Sequence, residues 1–168
     1  MNDRKKHLLS HFDSARLPTS SQSPRTANCP STFSPGITMT ELDVQSASDQ
    51  LGFLLPKTFS APMISAGDLS AVGMNPDFEG GVCTTVDDLV GTQEAAVEAA
   101  LCVHEEMVEW WDEYFAIAQD GGGGYYLMRR DESPEVYLMD SDWCEEPRVV
   151  SPNLTAFLEE VKGGEYPD

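Results

Sequence analysis

The sequence predicts an α+β domain: a single mixed or antiparallel sheet with helices packed on it, behind a disordered N-terminal tail. Three observations carry this. Between Phe115 and Asp140, a four-glycine turn and a proline-marked link divide the chain into three short strand-like runs. Two apolar stripes recur at helical spacing, Val97, Leu101, His104, Val108 and Trp111 in one, and Leu154, Phe157, Leu158 and Val161 in the other. Finally, composition changes at Met39. Residues 13–38 set Pro18, Pro24, Pro30 and Pro35 among serines and threonines with no helical or strand period, and patterned acidic sequence follows. Residues 1–38 are therefore expected to be disordered and 39–168 to form one domain. The break also makes Met39 a candidate true start, with residues 1–38 added by an upstream start.

The elements follow in order. Thr40 is suited to cap a helix with Asp43 in its first turn, running through Leu42, Val44, Ala47 and Leu51 to Gly52. Phe53-Leu54-Leu55-Pro56 reads as a buried link into extended chain. Residues 57–81 show no clear helix; Pro62, Gly67, Gly73, Pro76, Gly80 and Gly81 predict loop, with short strand pieces around residues 69–72. Residues 82–86 predict a strand. Thr92, with Glu94 in the first turn, is expected to cap a helix from about 93 to 111. Ala95, Ala96, Ala99 and Ala100 favour that helix by propensity, and Glu98, Glu105, Glu109 and Asp112 mark its wet side. Phe115 to Ala118 is a short apolar strand. Residues 125–129 and 135–140 alternate as strands do, across a link of hairpin length. The last stripe predicts a C-terminal helix packed on the sheet, capped by Ser151 or Asn153 and ended by Gly163 and Gly164.

Charge is divided unevenly along the 168 residues. Residues 1–38 carry five basic side chains (Arg4, Lys5, Lys6, Arg16, Arg25) and two acidic ones, a net of +3. The remainder carries five basic and 27 acidic side chains, a net of −22, so the whole chain stands at −19. Such a domain repels nucleic acid and anionic lipid and attracts basic surfaces. Neither nucleic acid nor a membrane is expected as partner; a basic protein is. No apolar run reaches the roughly 18 residues of a membrane span. After Arg4, Lys5 and Lys6, only Leu8 and Leu9 precede His11 and Asp13, too little for a secretory signal. A soluble, cytoplasmic protein is expected. Cys29, Cys83, Cys102 and Cys144 lie too far apart for a paired-cysteine zinc site and are expected to be free, mostly buried thiols.

Reaction chemistry finds little support. Gly121, Gly122, Gly123 and Gly124 lack the Lys-Ser/Thr and helix of a phosphate loop; Tyr125 and a strand follow, so a permissive turn is expected. His104-Glu105 opens like a zinc-protease helix, but Val108 stands where the second histidine belongs. Asp140-Ser141-Asp142 opens like a calcium loop, without the glycine at its sixth position or the glutamate at its twelfth. No Gly-x-Ser-x-Gly elbow is present. Neither catalysis, a metal nor a cofactor is expected. The acidic loop of Asp140, Asp142, Trp143, Glu145 and Glu146 is instead the candidate binding edge, with Trp143 either its aromatic anchor or tucked under the last helix.

The run from Phe115 through Asp120 and the four glycines into Tyr125-Tyr126-Leu127 resembles the hallmark of the Knr/Smi-like, or SUKH, superfamily. There an apolar strand enters Asp-Gly-x-Gly and an aromatic strand follows. Glu135-Val-Tyr-Leu-Met-Asp140 is similar to the family's next strand. Asn153-Leu-Thr-Ala-Phe157-Leu158-Glu159 is similar to its closing helix, and Leu51-Gly-Phe-Leu-Leu-Pro56 to the Leu-Gly-x-x-Leu-Pro after its first helix. The resemblance spans residues 41–161. The helix and Asn-Gly-Gly stretch that the family places after Leu-Pro have no visible counterpart in residues 57–81. The resemblance implies an α+β fold and non-enzymatic work. Many bacterial members are immunity proteins that neutralise toxins, often nucleases; fungal members are regulatory scaffolds. An immunity protein is the leading expectation here, and a housekeeping interaction scaffold the alternative. Asp120 matches a recurrent family position, where its implied role is to shape the turn.

Overall fold

The computed structural model describes residues 38–74, 80–103, 112–140 and 146–167. The expected disordered tail and the C-terminal part of the helix expected over 93–111 lie outside them. Among the described residues the chain forms helices α1 (Glu41–Leu51) and α2 (Lys57–Ser65), strand β1 (Gly80–Val82) and helix α3 (Val86–Val103). Strands β2 (Tyr114–Asp120), β3 (Tyr125–Arg129), β4 (Val136–Met139) and β5 (Arg148–Ser151) follow, then helix α4 (Leu154–Lys162). The five strands lie in chain order, each antiparallel to its neighbours. This is the α+β class expected, with the sheet antiparallel.

Strand alternation gives the sheet two apolar faces. On one, Phe115, Tyr126, Met128, Val136 and Leu138 pack with Ala47 of α1, Phe59 and Met63 of α2, and the Leu154, Phe157, Leu158 and Val161 stripe of α4. A bulge in β2 lets Ile117 and Ala118 both join this core. On the other face, Tyr114, Ala116, Tyr125, Leu127 and Met139 meet Ala96 and Ala100 of α3.

Caps define the helices. Thr40 and Asp43 form a reciprocal box at α1: Asp43 N–H donates to Thr40 Oγ1 (3.3 Å) and Thr40 N–H to Asp43 Oδ2 (2.8 Å). The Thr40 hydroxyl also donates to Asp43 Oδ2 at 2.7 Å, and this bond, with that from the Thr40 N–H, holds the Asp43 carboxyl below its ordinary pKa. Gly52 ends α1 at φ 76°. Of the two candidate caps on α4, Asn153 serves; its Oδ1 accepts the Ala156 N–H at 3.0 Å.

Four elements depart from the sequence reading. Residues 57–65 are a helix, where none was expected. Pro62 sits inside α2 and Pro56 offers no capping side chain. The cap comes instead from Glu132, 75 residues away, whose carboxylate accepts the Lys57 N–H at 3.0 Å and the Thr58 N–H at 3.4 Å. Second, α3 begins at Val86 rather than near 93. Thr85 and Asp88 form its capping box, and Thr92, expected as the cap, is buried within the helix. The strand expected over 82–86 accordingly stops at Val82. Third, residues 148–151 add a strand the sequence reading lacks. Fourth, residues 69–72 form a turn rather than strand; Leu69 and Val72 are buried in it. The 53–56 link is only partly buried, since Leu54 faces solvent while Leu55 does not.

Candidate functional site

The expected binding edge falls at one end of the sheet. Asp140 follows β4 and Glu146 precedes β5; both are exposed. The Asp140 carboxylate lies 3.7 Å from Arg148 Nη2, a solvent-screened pair of small energetic weight. Asp142, Trp143 and Glu145 lie outside the described residues.

The glycine turn shares this end, because Tyr125 pairs with Met139 across β3 and β4. Asp120 organises it: Oδ1 accepts the N–H of Gly122 at 2.7 Å and of Gly124 at 2.9 Å. Gly121 and Gly123 take φ of 76° and 96°. A Cβ on Gly124 would fall 2.5 Å from Asp120 Oδ2 and 3.1 Å from the Met139 carbonyl. The turn therefore needs glycine at these positions for conformation and space. Burial pushes the neighbouring Tyr125 phenol above its ordinary pKa, and the Asp120 charge adds to it.

The opposite end carries contacts that sequence reasoning missed. Arg129 reaches Glu113 at 3.2 Å and Asp131 at 3.0 Å, with its guanidinium 5.6 Å from the Tyr114 ring centre. Arg130 donates from Nε to the Tyr114 carbonyl at 2.9 Å and lies 4.2 Å over the Phe53 ring. Burial draws the Arg130 guanidinium below its ordinary pKa, against the pull of the Asp112 charge. With Glu132 capping α2, this hairpin clasps the α1–α2 junction from two sides. The sequence signal was only a charged hairpin link, which gives no hint of the partner strand or helix.

Other carboxylates spread outward. Glu41 and Asp49 on α1, Asp87, Glu94 and Glu98 on α3, and Glu159 and Glu160 on α4 are all exposed. An open groove of about 200 Å³ between α2 and α4 is lined by Pro62, Ala66, Leu158 and Lys162 among others, with Glu159 and Lys162 paired at 3.4 Å beside it. Among the described residues no three His, Cys, Asp or Glu side chains converge as a metal ion requires, and no helix is long and apolar enough to cross a membrane. Cys83 is fully buried; burial drives its thiol up to about 12, against a hydrogen bond with Thr92. Cys102 is exposed.

Among the described residues, a meander of five antiparallel strands flanked by four helices, with many carboxylates exposed, defines an acidic α+β domain. The order of its Leu-Gly-Phe-Leu-Leu-Pro segment, Asp-Gly turn and closing helix places it among known domains. The chain belongs to the SMI1 / KNR4 family (SUKH-1), whose sequence model matches residues 38–160. A search of curated proteins found no match to the chain.

Proposed function

We propose that this chain is a non-enzymatic protein-binding domain of the immunity type, which neutralises a basic bacterial toxin by covering its active surface. Nucleases are the favoured targets, because a groove that binds phosphate must be positive. The observation that carries the reading is charge: a net of −22 over residues 39–168, with carboxylates exposed on α1, α3 and α4. Opposed fields speed encounter and hold a complex in register. Membership of the SMI1 / KNR4 family (SUKH-1) is consistent with this work.

The test is co-expression with toxins encoded beside the chain's own gene, followed by association kinetics with any toxin it neutralises. Protection should accompany a tight complex whose association slows as salt rises, since charges are screened over roughly 8–10 Å. Replacing Asp140, Asp142, Glu145 and Glu146 by their amides should slow association further and flatten the salt dependence. Absence of both protection and binding would leave the scaffold alternative in its place.

A further inference from the structure

The two edges of the sheet differ. Along β1 the outer edge is closed: Val82 N–H donates to the Val72 carbonyl at 2.8 Å, and Gly73 bridges Val82 in parallel. The contact is so close that a Cβ on Gly81 would lie 2.6 Å from the Gly73 carbonyl oxygen. Along β5, no described residue pairs with the edge that faces away from β4. An open edge is a row of donors and acceptors that another strand can satisfy.

The side chains at this edge suit a partner. Val149 stands opposite Tyr137 in register and is 56 % exposed, while Tyr137 is half-buried on the fringe of the α3-side core. A register shift between β4 and β5 leaves Val150 packed toward the main core and Val149 on the other face. Exposed Asp140 and Glu146 flank the strand at its first residue, Arg148, which lies 3.7 Å from the Asp140 carboxylate and leaves this end one charge negative. A second copy of this chain is a poor occupant, because each copy carries −19.

We propose that β5 is a docking edge onto which an extended, basic segment of a partner protein adds as a sixth strand. Backbone hydrogen bonds supply the attachment, alternate apolar side chains rest on Val149, and lysine or arginine meets Asp140 and Glu146. This deepens the basic-partner reading and rests on it.

Four synthetic probes test the edge against the full isotope-labelled chain by NMR titration. They are a hexapeptide alternating lysine and valine, its backbone N-methylated twin, a glutamate-for-lysine version, and a scrambled control. The lysine peptide should shift the amides of Arg148, Val149, Val150 and Tyr137. N-methylation leaves charge and side chains but removes strand donors, and should weaken binding roughly ten- to thirtyfold. Equal binding of the twin, or shifts confined to α1 or α3, would overturn strand addition while leaving the basic-partner reading intact. Equal binding of the glutamate peptide would overturn the basic occupant. Concentration-dependent dimerisation that Val149→Lys abolishes would overturn it in favour of a second copy.

Discussion

Glu132→Gln isolates the clasp between the β3–β4 hairpin and α2. The carboxylate accepts one short bond from Lys57 N–H, at 3.0 Å, and a longer one from Thr58 N–H, at 3.4 Å. Glutamine keeps an acceptor oxygen and loses the charge. A charge-assisted hydrogen bond is about twice as strong as a neutral one, and a negative charge at a helix N-terminus adds about 0.3–1 kcal/mol. Because Glu132 is exposed, the low end applies, and the loss should be about 1 kcal/mol. Lys57→Pro supplies the second arm. Lys57 is the first residue of α2, where proline is accepted, and Pro56 already lies at φ −66°, ψ 155°, the conformation a following proline demands. In the Lys57→Pro background the 3.0 Å donor is gone, so Glu132→Gln should cost only about 0.3–0.5 kcal/mol. Urea unfolding of all four variants at pH 7 reads the coupling, with an unchanged slope as the condition for comparison. Equal cost in both backgrounds, or a midpoint for Glu132→Gln equal to wild type, would refute the clasp.

Two further substitutions probe the interior. Phe157 is fully buried, its ring centre 4.8 Å from that of Tyr126, so Phe157→Ala should lose about 3–5 kcal/mol in the same urea assay. An unchanged midpoint would mean that α4 is not docked. Cys83 has its thiol raised to about 12, so the native state holds that proton longer than the unfolded chain does. Its contribution is intact below the unfolded value, roughly 8.5, and drains away as pH climbs toward 12. Between pH 8 and 11 the wild type should therefore lose more stability than Cys83→Ala, and parallel curves would contradict the assignment. Native-state alkylation at pH 8 should label Cys102 and spare Cys83, as peptide mass spectrometry would reveal.

Local chemistry made much of the fold legible. Thr40 with Asp43, the four glycines after Asp120, and the Leu154–Val161 stripe each contain their own instructions within a few residues. What escaped depends on distant or competing cues. Helix α2 draws its cap from Glu132, and its apolar signal is little more than Phe59 and Met63 around Pro62. Thr92 and Glu94 read as a helix start, yet the box of Thr85 and Asp88 sets α3 seven residues earlier and buries Thr92. Strand β5 is four residues long and only its last residue is buried, too little for a period to show. The proposed edge was legible as charge at Asp140 and Glu146; Val149 and Tyr137 became neighbours only through pairing across the sheet.

Strands β2 to β5 follow one another along the chain and in the sheet, with α4 directly behind them. Such sequence-local contacts close with little loop entropy and form quickly. They are also the last part of the domain to leave the ribosome. Helices α1 and α2 emerge first, yet the surface against which Phe59 and Met63 are buried belongs to strands not yet synthesised. During translation the N-terminal half must wait with its apolar residues in water. Its nascent form is thus the stage at which a chaperone has most to hold, and truncation before β2 would leave that stage permanent.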